Sequence, residues 1–137
     1  KVIATDIDTE ALAKARKGIY PQEQVRKLDE ARVKRFFQKG TGNHIGLARV
    51  RPEVSALVEF MPLNLLAPQW PVKGPFDAVF CRNIMIYFDK DTQAKILKRF
   101  APLMKPDGLL FAGHSENFSY ISDAFKLRGQ TVYTLAK

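Results

Sequence analysis

The chain has little of what disulfide, metal and membrane chemistry require. Its 137 residues contain one cysteine and two histidines. A single cysteine excludes an internal disulfide framework and fits a reducing compartment, and so few ligands predict no metal site. No apolar run approaches the roughly 20 residues that a membrane-spanning helix needs, and no signal-peptide pattern opens the chain. We therefore expect a cytoplasmic globular domain with no direct membrane insertion.

Acidic residues are outnumbered by basic ones, and the imbalance is concentrated in one segment. The net charge is +8. Between Lys14 and Arg51, eleven basic residues face only three acidic ones, so this segment alone accounts for that charge. A solvated helical face is the ordinary explanation, and an anionic protein partner or nucleic acid are the alternatives. Because its aromatic residues do not alternate with basic ones as stacking platforms would, we do not expect nucleic-acid binding.

Strand and helix patterns alternate along the chain. Residues 1–6, 77–81 and 109–112 are apolar runs that predict buried strands, with a turn at 106–108 and a closing hairpin around Gly129. A helix is predicted from Asp8 or Thr9 to Lys17, a basic helix over 29–38, and a third begun by Asp89 or Asp91. This order predicts an α/β fold with a mostly parallel sheet.

A glycine-rich loop at 40–46 precedes two short alternating segments. No Lys-Ser/Thr pair and no helix follow the loop, so it is not a phosphate-binding loop. Residues 47–51 and 57–61 read as two antiparallel strands joined by a turn at Pro52. We therefore predict a small antiparallel β insertion over residues 40–62.

Polar side chains follow three of the predicted strands, where ligands bind in open α/β sheets. Asp6 suits the hydroxyl groups of a ribose, since a carboxylate accepts two hydrogen bonds from a vicinal diol. Asn64 and Leu65 suit the edge and face of an adenine, although a turn-stabilising Asn is the favoured alternative. Arg82 and Asn83 either hold a ligand carboxylate or carbonyl, or Arg82 pairs with a carboxylate at the sheet end.

The remaining chemical candidates are weaker. Tyr87 lies near the third of these ends, as a site residue or as buried core. His114-Ser115-Glu116 suggests nucleophilic catalysis, but no second histidine with an acid accompanies it, so a hydrolase is not expected. Cys81 ends a strand and is expected to be inert core.

Seven segments, in this order, closely resemble the CheR-type chemotaxis receptor methyltransferases. They are residues 6–10 (DIDTE), 40–42 (GTG), 64–66 (NLL), 74–77 (GPFD), 80–88 (FCRNIMIYF), 105–108 (KPDG) and 113–117 (GHSEN). The resemblance covers essentially the whole chain. It implies a Rossmann-like class I methyltransferase sheet that transfers methyl from S-adenosylmethionine to chemoreceptor glutamates, leaving S-adenosylhomocysteine and a methyl ester.

The resemblance also implies roles for individual residues. Asp6 would hold the ribose, Asn64 and Leu65 the adenine region, and Arg82 and Asn83 the amino-acid end of the cofactor. Tyr87 would stand near the transferred methyl, with Arg82 as the second catalytic residue. A β-subdomain would bind the receptor, in some members its C-terminal peptide; the matching positions are Gly40, Gly42, Gly46 and Arg49.

Two parts of the family pattern are expected before Lys1: the first sheet strand with its glycine-rich loop, and an N-terminal helical domain. Residues 1–137 are therefore interpreted as a partial methyltransferase domain, which alone would bind cofactor poorly and be inactive. Two other functions were considered: a catalytically inactive receptor-binding adaptor, and a nucleic-acid methyltransferase. The latter is disfavoured because no base-flipping aromatic motif accompanies Arg82 and Asn83.

Overall fold

The computed structural model describes residues 1–136 and forms two compact units, Lys1–Trp70 and Pro71 onward. Both units combine helices and strands, so a mixed α/β class is confirmed. The predicted mostly parallel sheet is not observed, because four of the six strand pairings in the described residues are antiparallel. The strands of the first unit are β1 (Val2–Asp6), β2 (Ile19–Pro21), β3 (Phe37–Lys39), β4 (Leu47–Val50) and β5 (Val58–Pro62). The strands of the second are β6 (Phe76–Cys81), β7 (Met104–Ala112), β8 (Phe125–Gly129) and β9 (Val132–Leu135).

Five helices connect these strands within the described residues. They are α1 (Thr9–Lys17), α2 (Gln22–Val25), α3 (Glu30–Phe36), α4 (Pro52–Ser55) and α5 (Lys90–Phe100). Short 3-10 helices lie at Gly42–His44, Met85–Tyr87 and Ala101–Leu103. No helix in residues 1–136 is both long enough and apolar enough to cross a bilayer.

The two longest helices begin where their sequences predict. The Asp8 carboxylate accepts the Glu10 N–H at the start of α1, and Gly18, at φ 64°, ends that helix. The Asp89 carboxylate accepts the Thr92 N–H at 2.8 Å, which holds the pKa of Asp89 below its ordinary value. Local capping chemistry therefore sets both boundaries.

The predicted pairing of segment 47–51 with segment 57–61 is wrong. β5 instead pairs in parallel with β1, with Val58 opposite Val2 and Pro62 opposite Asp6. β4 lies at the centre of a three-stranded antiparallel sheet in the order β2-β4-β3. Both partners of β4, which are β2 and β3, precede it in the sequence. The antiparallel sheet therefore lies between residues 19 and 50 and does not include β5.

The predicted basic helix over 29–38 is too long. α3 ends at Phe36, and the next residues form β3, whose hydrogen bonds go to β4. Its predicted apolar face is only partly covered: Val33 and Phe37 are half-buried and Phe36 is exposed. Residues 37 and 38 therefore pair with β4 in the sheet, although their sequence pattern predicts that the helix continues.

In the second unit, β6, β7, β9 and β8 form one sheet in that order. β6 and β7 are parallel and joined by α5, while β9 and β8 form the predicted antiparallel hairpin. The predicted turn at 106–108 lies inside β7, where the register shifts between Phe76 and Ala78 of β6. Lys105 Nζ lies 2.8 Å from Asp77 Oδ1 there, which lowers the pKa of Asp77 and raises that of Lys105.

The core of the second unit includes a hydrogen bond to a buried phenol. Tyr133 and Phe118 are almost completely buried, with ring centroids 5.3 Å apart. The Phe118 N–H donates to the Tyr133 hydroxyl at 3.0 Å. The hydroxyl therefore satisfies a backbone donor that water does not reach.

We expect Tyr133→Phe to lower the free energy of unfolding of the full-length protein by about 1–3 kcal/mol, because the Phe118 N–H is left without an acceptor. Urea denaturation measures the change. Tyr120→Phe is the matched control, since Tyr120 is 89% exposed. Equal effects of the two substitutions would contradict a role for the buried bond.

Candidate functional site

The first group of predicted site residues lies at the carboxyl end of the β1–β5 pair. Asp6 ends β1, and its carbonyl accepts the N–H of Leu63, just past β5, at 3.0 Å. Its Oδ1 accepts the Asp8 N–H at 3.0 Å, while the Asp8 carboxylate is occupied at the start of α1. Asp6 is exposed, so its carboxylate is oriented by the backbone and accessible to a ligand.

Asn64 and Leu65 lie at the same edge, directly after β5. The Asn64 Oδ1 accepts the Leu66 N–H at 2.9 Å, so the turn-stabilising role favoured from sequence is present. The Asn64 amide nitrogen is the group of this side chain suited to a ligand acceptor. The Leu65 carbonyl accepts the Trp70 indole N–H at 3.2 Å, and its side chain is half-buried. The structure thus brings Asp6, Asn64 and Leu65 together at the carboxyl end of the β1–β5 pair.

The second group of predicted site residues lies at the carboxyl end of β6. Arg82 and Asn83 are both exposed and directly follow Cys81. Asn83 has φ 62°, a left-handed conformation that Asn tolerates better than most residues. A Cβ on Gly113, just after the neighbouring β7, would lie 2.3 Å from Asn83 Oδ1 and 3.0 Å from Asn83 N. A side chain at position 113 would therefore displace the Asn83 side chain and crowd its backbone.

Sequence reasoning assigned no role to the residue that holds this turn. Glu116 is only 8% exposed. Its Oε1 accepts the N–H groups of Asn83 at 2.9 Å and Gly113 at 2.8 Å, and its Oε2 accepts the Met85 N–H at 2.9 Å. The available signals were the His114-Ser115-Glu116 run and the family-like segment 113–117, and neither indicates contacts with backbone N–H groups.

Tyr87 is not part of the core. It ends the 3-10 helix Met85–Tyr87 with its side chain 80% exposed, whereas Met85 is fully buried. The core interpretation of Tyr87 is therefore wrong. Met85 packs in the core and anchors the short helix there, whereas the Tyr87 phenol projects into solvent.

The other candidate chemistries do not assemble a site. His114 and Ser115 are exposed, while the carboxylate of Glu116 is directed to backbone donors. Among residues 1–136, no group of three His, Cys, Asp or Glu side chains is placed to hold a metal ion. Cys81 is buried, and burial, with a smaller effect of the Glu116 charge, raises the pKa of its thiol to about 12.

We expect Cys81 to resist alkylation by iodoacetamide in the native full-length protein. With a thiol pKa of about 12, roughly one molecule in ten thousand carries the reactive thiolate at pH 8. Peptide-resolved mass spectrometry over time measures labelling in native protein and in denaturant. Labelling as fast in the native state as in denaturant would contradict the buried, neutral thiol.

A groove of about 290 Å³ lies on the antiparallel sheet, and we call it the Gly40 groove. Gly40 and Arg49 both line it, and the Arg49 guanidinium donates to Gln38 Oε1 on the neighbouring strand. A Cβ on Gly40 would lie 1.9 Å from the His44 carbonyl oxygen. Gly42 and Gly46, the other predicted peptide-binding positions, have positive φ angles of 58° and 89° and shape the adjoining loop.

The predicted site residues therefore form three groups. Asp6, Asn64 and Leu65 lie at the carboxyl end of the β1–β5 pair, and Gly40 and Arg49 line the Gly40 groove. Both of these groups belong to the first unit. Arg82, Asn83 and Tyr87 belong to the second unit, where Glu116 and Gly113 contact the backbone of Asn83, the residue after Arg82.

Comparison with known proteins identifies relatives along the whole chain. It is 63% identical to the "Chemotaxis protein methyltransferase" of Escherichia coli (strain K12), over 100% of this chain and 48% of that protein. The corresponding protein of Salmonella typhimurium is 61% identical, over 100% of this chain and 48% of that protein. "Chemotaxis protein methyltransferase 2" of Pseudomonas aeruginosa is 51% identical, over 99% and 49%. The chain thus spans about half the length of the curated relatives it matches.

A protein family also matches nearly the whole chain. Residues 1–134 match the family described as "CheR methyltransferase, SAM binding domain", in which SAM stands for S-adenosylmethionine. That description names the cofactor, and polar strand-end residues in both units agree with an α/β ligand-binding fold. The chain belongs to the CheR methyltransferase family, as its S-adenosylmethionine-binding domain.

Proposed function

We propose that this chain is the cofactor-binding part of a cytoplasmic glutamate O-methyltransferase that modifies chemoreceptors. The observation that carries the proposal is the placement of exposed polar side chains at the carboxyl ends of both parallel strand pairs. Asp6 follows β1, and Arg82 and Asn83 follow β6. The names of the relatives support methyl transfer in chemotaxis, and the family's description supports the cofactor.

The residues present fit the chemistry of S-adenosylmethionine. The exposed, backbone-oriented carboxylate of Asp6 is an acceptor for ribose hydroxyls. The Asn64 amide nitrogen is a donor for an adenine ring nitrogen, beside the apolar Leu65. Arg82 and Asn83 supply a cation and an amide for the amino-acid end, which carries a carboxylate.

Little acid–base chemistry is required of the protein. When bound, S-adenosylmethionine supplies an electrophilic methyl group on a sulfonium. The accepting glutamate is already ionised at neutral pH, so no general base is needed. The task of this chain's residues is to orient the reactants and to exclude water. We assign Arg82 to binding the cofactor. We place the exposed Tyr87 phenol near the transferred methyl group.

A Rossmann-like class I sheet stays a prediction, and the strand edges support it. β1 has β5 on one side, and β6 has β7 on one side, so each is an edge strand within the described residues. Val2 of β1 and Phe80 of β6 are more than half exposed. Such edges are suited to a further strand, as the expected strand before Lys1 would provide. On this proposal the 137 residues alone bind cofactor weakly, and micromolar affinity in isothermal titration would contradict it.

We assign receptor binding to the antiparallel sheet, at the edge formed by β3. The Gly40 N–H donates to the Leu47 carbonyl, and backbone direction alternates along a strand. Phe37 and Lys39 therefore direct their backbone groups away from β4, where an added peptide strand can pair. Arg49 in the Gly40 groove supplies a cation for a receptor acidic or terminal carboxylate group.

Radiolabelled S-adenosylmethionine, the full-length protein and receptor-containing membranes test the function. Label on the receptor that mild base releases as methanol supports a carboxyl methyl ester. Cofactor binding without transfer would point to another substrate. Absence of cofactor binding in the full-length protein would overturn the enzymatic proposal and favour a receptor-binding adaptor.

A further inference from the structure

The buried carboxylate of Glu116 accepts three backbone N–H groups from two segments of the second unit. It receives the N–H groups of Asn83 and Met85 from the turn after β6, and that of Gly113 from the end of β7. All three distances are 2.8–2.9 Å. The Glu116 N–H in turn donates to the Gly113 carbonyl at 3.1 Å. The segment after β7 is thus folded back onto the turn after β6.

A carboxylate is well suited to these three donors. It has two acceptor oxygens with about four lone-pair sites and no donor hydrogen, and hydrogen bonds to an ionised acceptor are roughly twice as strong as neutral ones. A glutamine would retain one acceptor oxygen and place its NH₂ group against at least one backbone N–H. The neighbouring Cys81 thiol has its pKa raised partly by the Glu116 charge.

The turn held by Glu116 includes a residue in the left-handed region of backbone conformation. Asn83 has φ 62°, and its N–H and side chain lie against Gly113. Since Arg82 immediately precedes Asn83, the direction of both exposed side chains depends on the backbone of this turn. Removing the acceptor leaves N–H groups of the turn without their partner and releases this constraint.

We propose that Glu116 is a positioning residue for cofactor binding. Its carboxylate holds the turn that presents Arg82 and Asn83 to the amino-acid end of S-adenosylmethionine. This inference rests on the proposed function, specifically on the contact of Arg82 and Asn83 with the cofactor.

A double-mutant cycle in the full-length protein tests the inference, with cofactor affinity measured by isothermal titration. We expect Glu116→Gln to raise the Kd for S-adenosylhomocysteine roughly tenfold or more in the wild-type background. In the Arg82→Ala background the same substitution should raise it less than about threefold, because the charged group of the two being positioned is gone and only the Asn83 amide remains. The KM for cofactor should rise with a smaller change in kcat at saturating cofactor.

Two further variants keep the result interpretable. Glu53→Gln makes the same chemical change at an exposed position in the first unit and should leave the Kd unchanged. If Glu116→Gln does not fold, Glu116→Asp, which keeps the charge on a shorter side chain, replaces it in the cycle. Partial retention of affinity in Glu116→Asp is expected.

The outcomes separate this inference from the proposed function. Equal losses of affinity from Glu116→Gln in both backgrounds, or no loss in either, would overturn the positioning role alone. If Arg82→Ala itself leaves cofactor affinity unchanged, the assignment of Arg82 to the cofactor is wrong and the positioning role of Glu116 is overturned with it.

Discussion

Asp6→Ala is expected to raise the Kd of the full-length protein for S-adenosylmethionine about ten- to hundredfold. The substitution removes a carboxylate proposed to accept ribose hydroxyls, and hydrogen bonds to a charged group contribute about 1.5–3 kcal/mol. The Asp8 N–H, which donates to Asp6 Oδ1 at 3.0 Å, orients that carboxylate before any ligand arrives. Isothermal titration of wild type and variant measures the change.

Asp8→Ala is the matched control for this experiment. It removes a carboxylate two residues away but keeps the backbone N–H that Asp6 accepts. Because the Asp8 side chain accepts the Glu10 N–H at the start of α1, the variant should lose about 1 kcal/mol of stability with little change in Kd. Similar losses of affinity from both substitutions would show that α1 stability, and not the Asp6 carboxylate, controls binding.

Gly113→Ala is expected to abolish measurable cofactor binding. The new Cβ would lie 2.3 Å from Asn83 Oδ1 and 3.0 Å from Asn83 N, so the Asn83 side chain must shift, and we expect the turn after β6 to shift with it. Overpacking of this kind costs about 1–3 kcal/mol of stability, and the displaced turn also carries Arg82. Titration with S-adenosylhomocysteine and a thermal unfolding curve separate the two effects.

Gly129→Ala makes the same change where the structure has room. A Cβ on Gly129 would meet no atom within 4 Å. Its stability and cofactor affinity should therefore match wild type within experimental error. Wild-type affinity in Gly113→Ala would mean that the turn after β6 is not part of the cofactor site.

Local signals were sufficient to predict much of the fold. The starts of α1 and α5 follow from Asp8 and Asp89, because a capping side chain bonds to backbone N–H groups only a few residues away. The closing hairpin around Gly129 was predicted for the same reason, since its two strands are adjacent in sequence.

Strand partners were not predictable in the same way. The alternating pattern of residues 57–61 fits a strand but does not reveal which strand it joins. Adjacency suggested a hairpin with β4, whereas β5 pairs in parallel with β1, more than fifty residues earlier in the chain. Likewise, α3 stops at Phe36 because the next residues complete the sheet with β4, a contact that helical periodicity cannot show.

In the candidate site, too, residues with local sequence signals were predicted, whereas contacts between distant parts of the chain were not. Asp6 and Arg82 were identified because ligand-binding residues follow strands, and the structure places both at carboxyl ends of parallel pairs. The role of Glu116 was not predicted, although its segment was singled out, because its partners at positions 83 and 85 are some thirty residues away and are backbone groups. A sequence pattern of side chains carries no direct signal for such contacts.

The hydrogen bond from Trp70 to the Leu65 carbonyl has a practical consequence. Trp70 is the sole tryptophan among these 137 residues, and its indole N–H is joined to the segment proposed to contact adenine. Indole emission responds to the polarity and hydrogen bonding around the ring. In this chain the segment after β5 therefore carries its own optical reporter, so occupancy near Asn64 can be followed without an attached dye.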